Sequence, residues 1–243
     1  MHSLRCTPPA AASAAADAAE SAVASCTGCV ASVTAVPSGT RAVLGEQPLG
    51  SGIVWDSQGF IVVPYAPLTR VQRQGTAGDP QVFVTLTAAD GSVCQRLPAS
   101  IVSKDASHEL VVLQIVPPAG GLRPVVLASS SAVRVGQDAY LLAALPDGSP
   151  SIAAGVVSGL GRTIPASNNQ AISGVVQSDA EVNAQSLGGA LLDAAGSLVG
   201  MPVVSFIKPG SGRSSGVNFA LPSDLLLEVV PRLIVYGSAA VRR

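Results

Sequence analysis

Short β-type runs cut by glycine- and proline-marked turns set the strongest limit on what this chain can become. Val30–Val36 alternates apolar and small polar residues, as a half-buried strand does. Gly52–Trp55 and Phe60–Val63 flank a turn at Asp56–Gly59, the pattern of a hairpin. Gln81–Thr87 and Ser92–Arg96 flank Asp90 and Gly91 in the same way, and Ala99–Ser103 and Glu109–Ile115 extend the series. Residues 117–123 are rich in Pro and Gly and mark a boundary between two halves. Beyond it the style repeats, in Ala139–Leu145, Ser151–Leu160, Gly174–Ser178, Ala190–Asp193, Leu198–Val204 and Gly216–Ala220. The stretches 37–50 and 70–80 read as loops, and 17–25 is compatible with a helix. Only Leu221–Val235 carries a clear helical spacing, with Ser223 placed to cap it and Pro231 placed to kink it. Many short strands and one closing helix specify an all-β protein, and no solenoid period is present.

Composition narrows the classes of partner. With 48% apolar and 12% charged residues the chain can bury a large core and is not globally disordered. A net charge of −1 and the absence of a basic run argue against a nucleic-acid partner held through phosphates. No stretch reaches the roughly 18–20 apolar residues of a spanning helix. The longest candidate, Ala10–Ala24, is broken by Ser13, Asp17, Glu20 and Ser21.

Four cysteines are present, Cys6, Cys26, Cys29 and Cys94. Cys26–Cys29 is a lone C-x-x-C, with no second pair or histidine pattern to complete a metal site. It reads as a dithiol if a helix N-terminus lowers a thiol pKa, and otherwise as two small residues before a strand. No metal or cofactor motif is found, so no cofactor is expected. The first residues, Met1–Ala16, lack acidic side chains and are rich in Ala, Ser and Pro, a composition like that of a targeting segment.

Seven segments in a fixed order then point to a family. Gly50–Val62 reads GSGIVWDSQGFIV and Asp105–Ile115 reads DASHELVVLQI. Arg134–Gly136, Gly155–Arg162 (GVVSGLGR), Gln177–Asp179, Gly188–Leu191 and Ser214–Pro222 (SSGVNFALP) follow. Together they resemble the Deg/HtrA group of trypsin-like serine proteases over nearly the whole chain. Trp55, Val156–Pro165 and Val230–Gly237 are most similar to the short chloroplast type of the thylakoid lumen, which lacks a PDZ domain. The resemblance implies an all-β double barrel of six strands each with a C-terminal helix. The first barrel falls at about 30–116, the second at about 124–220 and the helix at about 221–236, within a domain spanning 19–243 after a targeting-like segment at 1–18.

The catalytic positions implied by the resemblance carry none of the expected chemistry. The histidine position falls on Ala66, the aspartate position on Glu109 and the serine position on Leu187. Leucine has no nucleophilic atom, and acyl transfer needs one paired with a base. The two histidines, His2 and His108, lie in the terminal tail and just before the acid-bearing strand. Ser186 sits one residue from the nucleophile position, facing another way. Glu109 reads as a surface or strand-end carboxylate. The oxyanion turn of the family uses backbone N–H groups of a Gly-Asn-Ser sequence; here it is Gln185, Ser186 and Leu187, and Gln185 at positive φ would be strained. A supporting Gly-Asn-Pro loop reads Ala143, Ala144 and Leu145.

The resemblance therefore implies a proteolytically silent homologue. It implies a non-catalytic or regulatory subunit, in homo- or hetero-oligomers with active Deg-type proteases, in the chloroplast lumen and in photosystem II repair. The apolar Val30–Val36 is the candidate subunit contact. An alternative is a peptide-binding, chaperone-like module for unfolded or damaged segments, with Leu187 making the cleft apolar. A further alternative is a working serine-type endopeptidase, which would need a base that the sequence does not supply.

Overall fold

The computed structural model describes residues 20–22, 24, 26–39, 45–75, 78–87, 93–207 and 214–237. The targeting-like segment, Cys6 and His2 lie outside these residues. Residues 20–22, 24 and 26 are helical and lead into a turn closed by a Cys26–Cys29 disulfide, with both sulfurs buried. The C-x-x-C is thus a disulfide staple packed against the core just before β1 begins.

The first barrel holds β1 (Val30–Val36), β2 (Gln47–Val54), β3 (Phe60–Pro64), β4 (Gln81–Thr87), β5 (Val93–Asp105) and β6 (Leu110–Gln114), closed in the order β1-β2-β3-β6-β5-β4. The second holds β7 (Asp138–Ala144), β8 (Pro150–Pro165), β9 (Ala171–Ser178), β10 (Ala190–Leu192), β11 (Leu198–Ile207) and β12 (Ser214–Pro222), closed as β10-β11-β12-β9-β8-β7. The all-β double barrel expected from the sequence is present. Closure removes the free strand edges that make open sheets prone to pair with other chains.

Two local expectations change. A helix, α1 (Tyr65–Gln74), begins where no element was expected and runs into the stretch 70–80 read as loop. Its single apolar stripe, Pro67, Leu68 and Val71, is buried, while Arg70 and Arg73 face outward. A stripe that short is masked in sequence by the polar residues around it. The two runs read around Pro98 are one strand, β5, which pairs with β4 up to Ala99 and with β6 from Ser100. Pro98 precedes this change of partner, where a missing N–H is tolerated.

The C-terminal helix α2 (Ser223–Tyr236) runs on through Pro231. Ser223 does not cap it. Its hydroxyl instead donates to the carbonyl of Ala128 at 2.6 Å, tying the helix to the segment between the barrels.

Strand β1 is not half-buried as expected but buried from Val30 to Ala35, which leaves little of the candidate subunit contact exposed. It is hydrogen-bonded to β2 on one edge and β4 on the other, and Val30–Ala35 are all buried. Thr34 donates to the Glu46 carboxylate at its rim. A strand with both edges and both faces covered has nothing to offer a neighbour.

Candidate active site

Gly50, Ser51 and Pro64 of the first barrel press against the turn at Gln185–Gly188 of the second. The Ser51 N–H donates to the Leu187 carbonyl at 2.8 Å. Gly50 has φ +115, and a Cβ there would come within 2.6 Å of that same carbonyl. Gly188 has φ +80, and its Cβ would meet Pro64 Cγ at 2.9 Å. These two glycines let the backbones of the two barrels approach closely at this junction.

Ser51 is a positioning residue that the sequence reading did not single out. Its buried hydroxyl accepts from the Ala144 N–H at 3.0 Å and donates to the Gln185 carbonyl at 2.9 Å. One side chain thus ties the 185–187 turn to the loop at Ala143–Leu145. The Gly-Ser-Gly sequence around it was the available signal.

Ala66, Glu109 and the turn at Leu187 lie around one junction. The Tyr65 N–H donates to the Glu109 carbonyl at 2.9 Å, which sets Ala66 beside Glu109. Pro64, two residues before Ala66, touches Gly188 beside Leu187. The structure thus places the three sequence-derived positions around the same corner. Ala66 is exposed and carries no functional group.

Glu109 corrects the expectation of a surface carboxylate. Its residue is 4% exposed, and its backbone sits at φ 57, a left-handed conformation that is unfavourable for glutamate. Its carboxylate accepts the backbone N–H of Ser167, in the β8–β9 turn of the other barrel. Asn168, next in that turn, donates to the Ser107 hydroxyl at 3.1 Å and to Gln170 Oε1 at 2.9 Å. An acid in this position latches the barrels together. That explains its burial without a catalytic partner, because a buried carboxylate needs a donor.

The 185–187 turn is closed on itself. Asn183 Oδ1 accepts from the N–H groups of Gln185 at 2.9 Å and Ser186 at 3.0 Å. The Asn183 carbonyl accepts from the Leu187 N–H at 3.2 Å. Gln185 does not take a positive φ; the only described non-glycine residues that do are Glu109 and Asn169. The strain expected at Gln185 is avoided because the turn folds around Asn183. The Gln185 and Leu187 N–H groups, to which the resemblance gives the oxyanion role, are both bound to Asn183. Asn183 is the second residue that the sequence reading missed; an asparagine two residues before a turn position is the signal for such a closure.

Leu187 is only partly exposed and packs on the core cluster of the second barrel, which includes Leu141, Leu191 and Val199. The Ser186 hydroxyl is 7% exposed as a residue and meets only Asn183, accepting its N–H at 2.9 Å. Among the described residues no imidazole reaches it. His108 is paired elsewhere, with Nδ1 2.5 Å from the buried Asp105 carboxylate. That hydrogen bond, against an opposing effect of burial, holds the imidazole pKa above its usual value. Among the described residues no group of three or more His, Cys, Asp or Glu is arranged to hold a metal ion, and no helix is long and apolar enough to cross a membrane.

Comparison with known proteins gives a consistent answer. Residues 50–201 match the trypsin-like peptidase domain model. The chain is 40% identical over 190 residues to Protease Do-like 5, chloroplastic, of Arabidopsis thaliana, covering 78% of this chain and 58% of that protein. It is 35% identical to Protease Do-like 8, chloroplastic, of the same plant, over 77% of this chain and 42% of that one. It is 28% identical to the periplasmic pH-dependent serine endoprotease DegQ of Escherichia coli, over 78% and 38%. The chain therefore spans about three-fifths or less of these relatives' lengths. Among solved structures, the crystal structure of Deg5 superposes with a TM-score of 0.74 at 32% identity, covering 95% of this chain and 99% of that one. An HtrA-type protease, AlgW with a tripeptide, superposes at 0.73 with 28% identity, over 90% and 64%. The chain belongs to the trypsin-like peptidase family, in its Deg/HtrA group.

Proposed function

We propose that this chain is a proteolytically silent Deg/HtrA homologue that serves as a non-catalytic subunit beside active members of its group. One observation carries the reading. At the turn where the family places nucleophile and oxyanion donors, Leu187 offers no nucleophile, and its N–H and that of Gln185 are bound to Asn183. Ala66 supplies no base, and Glu109 is bound to Ser167. Each loss alone removes orders of magnitude of rate, and here they coincide.

The names of the chloroplastic relatives support a chloroplast location, and the resemblance to the lumenal type supports a role in the turnover of damaged photosystem proteins. A subunit contact, in this reading, lies outside β1, which is buried. The test is direct. Purified chain treated with a fluorophosphonate probe and with unfolded casein is expected to give neither adduct nor fragments. Co-expression with a triad-bearing Deg protease is expected to give a mixed ring by size analysis and mass. An adduct at Ser186, or a strict monomer in the mixture, overturns the proposal.

A further inference from the structure

We propose that the cavity beside Ala66 binds an acidic, extended polypeptide segment. The cavity, about 480 Å³, lies between α1 and the β8–β9 turn, and Ala66, Thr69, Arg70, Arg73, Ser167 and Asn168 help to wall it. None of the residues of the closed 185–187 turn lines it. The small side chain of Ala66 leaves one flank open.

The wall is cationic and has no internal answer to its charge. Arg70 and Arg73 are exposed, and no carboxylate lines the cavity. Neither arginine has an ion-pair partner among the described residues, whereas Arg96, Lys104 and Arg232 each have one. Glu109, close to this wall, is buried and already accepts the Ser167 N–H. Two guanidinium groups three residues apart on a helix face repel each other, and an incoming anion relieves this.

Spacing selects the ligand. Helix positions i and i+3 hold their Cβ atoms about 5–6 Å apart. Alternate residues of an extended strand lie on one face roughly 6.5–7 Å apart. Carboxylates at every second position of an extended peptide therefore reach the two guanidinium forks together, each fork able to take a carboxylate in bidentate fashion. The opposite wall is firm, because both Asn168 amide hydrogens and its Oδ1 are already engaged. A nucleic acid fits poorly, since a chain of net charge −1 with two local cations cannot neutralise a run of phosphates.

The test uses this chain alone and so does not depend on any partner subunit. A fluorescein-labelled decapeptide with glutamate at every second position is titrated by anisotropy against its lysine counterpart. The glutamate peptide is expected to bind at least about tenfold more tightly, and Arg70→Ala/Arg73→Ala to lose about tenfold or more. Ala66→Trp, which fills the cavity and keeps both arginines, is expected to weaken binding similarly. Both sites are exposed, and melting curves confirm folding. Equal binding of the two peptides, a double variant within twofold of wild type, or equal displacement by an oligonucleotide of the same charge overturns the proposal. Chromatography of the same samples reads cleavage; a cleaved probe would sink the silent-homologue reading and leave the binding result standing.

Discussion

Leu187 shows why restoring the named side chains does not restore chemistry. The substitutions Ala66→His, Glu109→Asp and Leu187→Ser would return the residue types of a working triad. They would not return its surroundings. Asn183 still accepts the N–H groups of Gln185 and Leu187, so a developing oxyanion finds no donors. An aspartate at 109 is also shorter than the reach to Ser167 that the glutamate now makes. The triple variant is expected to remain without detectable cleavage of unfolded casein. Adding Gln185→Gly, which permits the backbone shape that the family uses, is the step expected to bring measurable turnover. Turnover by the triple variant alone would show that the closure at Asn183 opens freely. Ala66, Glu109 and Leu187 were legible in the sequence because motif order identifies positions. The partners they now hold were not. Glu109 reads as an exposed acid until the β8–β9 turn is seen beside it, since a contact across 58 residues has no local signal.

At the scale of elements, the β5–β6 turn joins the two barrels and the closing helix. Asp105 ends β5, is buried, and accepts the Ser107 N–H at 2.8 Å as well as the His108 imidazole. His108 and Leu225 of α2 border one cavity, and Glu228 of α2 adds attraction for a protonated ring. Two carboxylates therefore favour the imidazolium, with the Asp105 hydrogen bond the larger cause. Its pKa is raised on folding, so this stabilisation is full below the unfolded value, about 6.5, and is lost as pH rises through the folded one. Urea midpoints of the wild type are expected to fall across that window relative to His108→Asn, which should be flatter. Parallel curves for the two proteins would remove His108 from the account. Element types were legible wherever period and turn chemistry agreed, as at the Asp56–Gly59 hairpin, where Asp56 Oδ1 accepts the Gln58 N–H at 2.9 Å. Helix α1 was not, because three buried residues in ten give too little period.

The whole molecule shares a core that neither barrel owns. Ile53, Val62 and Val112 from the first barrel, Leu142, Leu192 and Met201 from the second, and Leu226 and Val230 from α2 belong to one buried cluster. Polar ties cross at several levels: the Val125 N–H to the Val54 carbonyl at 3.0 Å, the Thr87 hydroxyl to the Gly148 carbonyl at 2.6 Å, and the Ser51 bridge between turn and loop. A fold that had lost its chemistry together with its integrity would keep two cores and drop the seam. Here the seam is buried, with Leu142 only 1% exposed. Unfolding is therefore expected as one calorimetric transition, with the calorimetric and van't Hoff enthalpies in agreement. Leu142→Ala empties part of the shared cluster and is expected to destabilise by about 2–5 kcal/mol while moving that single transition as a whole. Two resolved transitions, only one of them shifted by the substitution, would show instead that each barrel folds on its own core. A single transition would mean that the seam between the barrels fixes the relative placement of α1, the β8–β9 turn and the cavity between them.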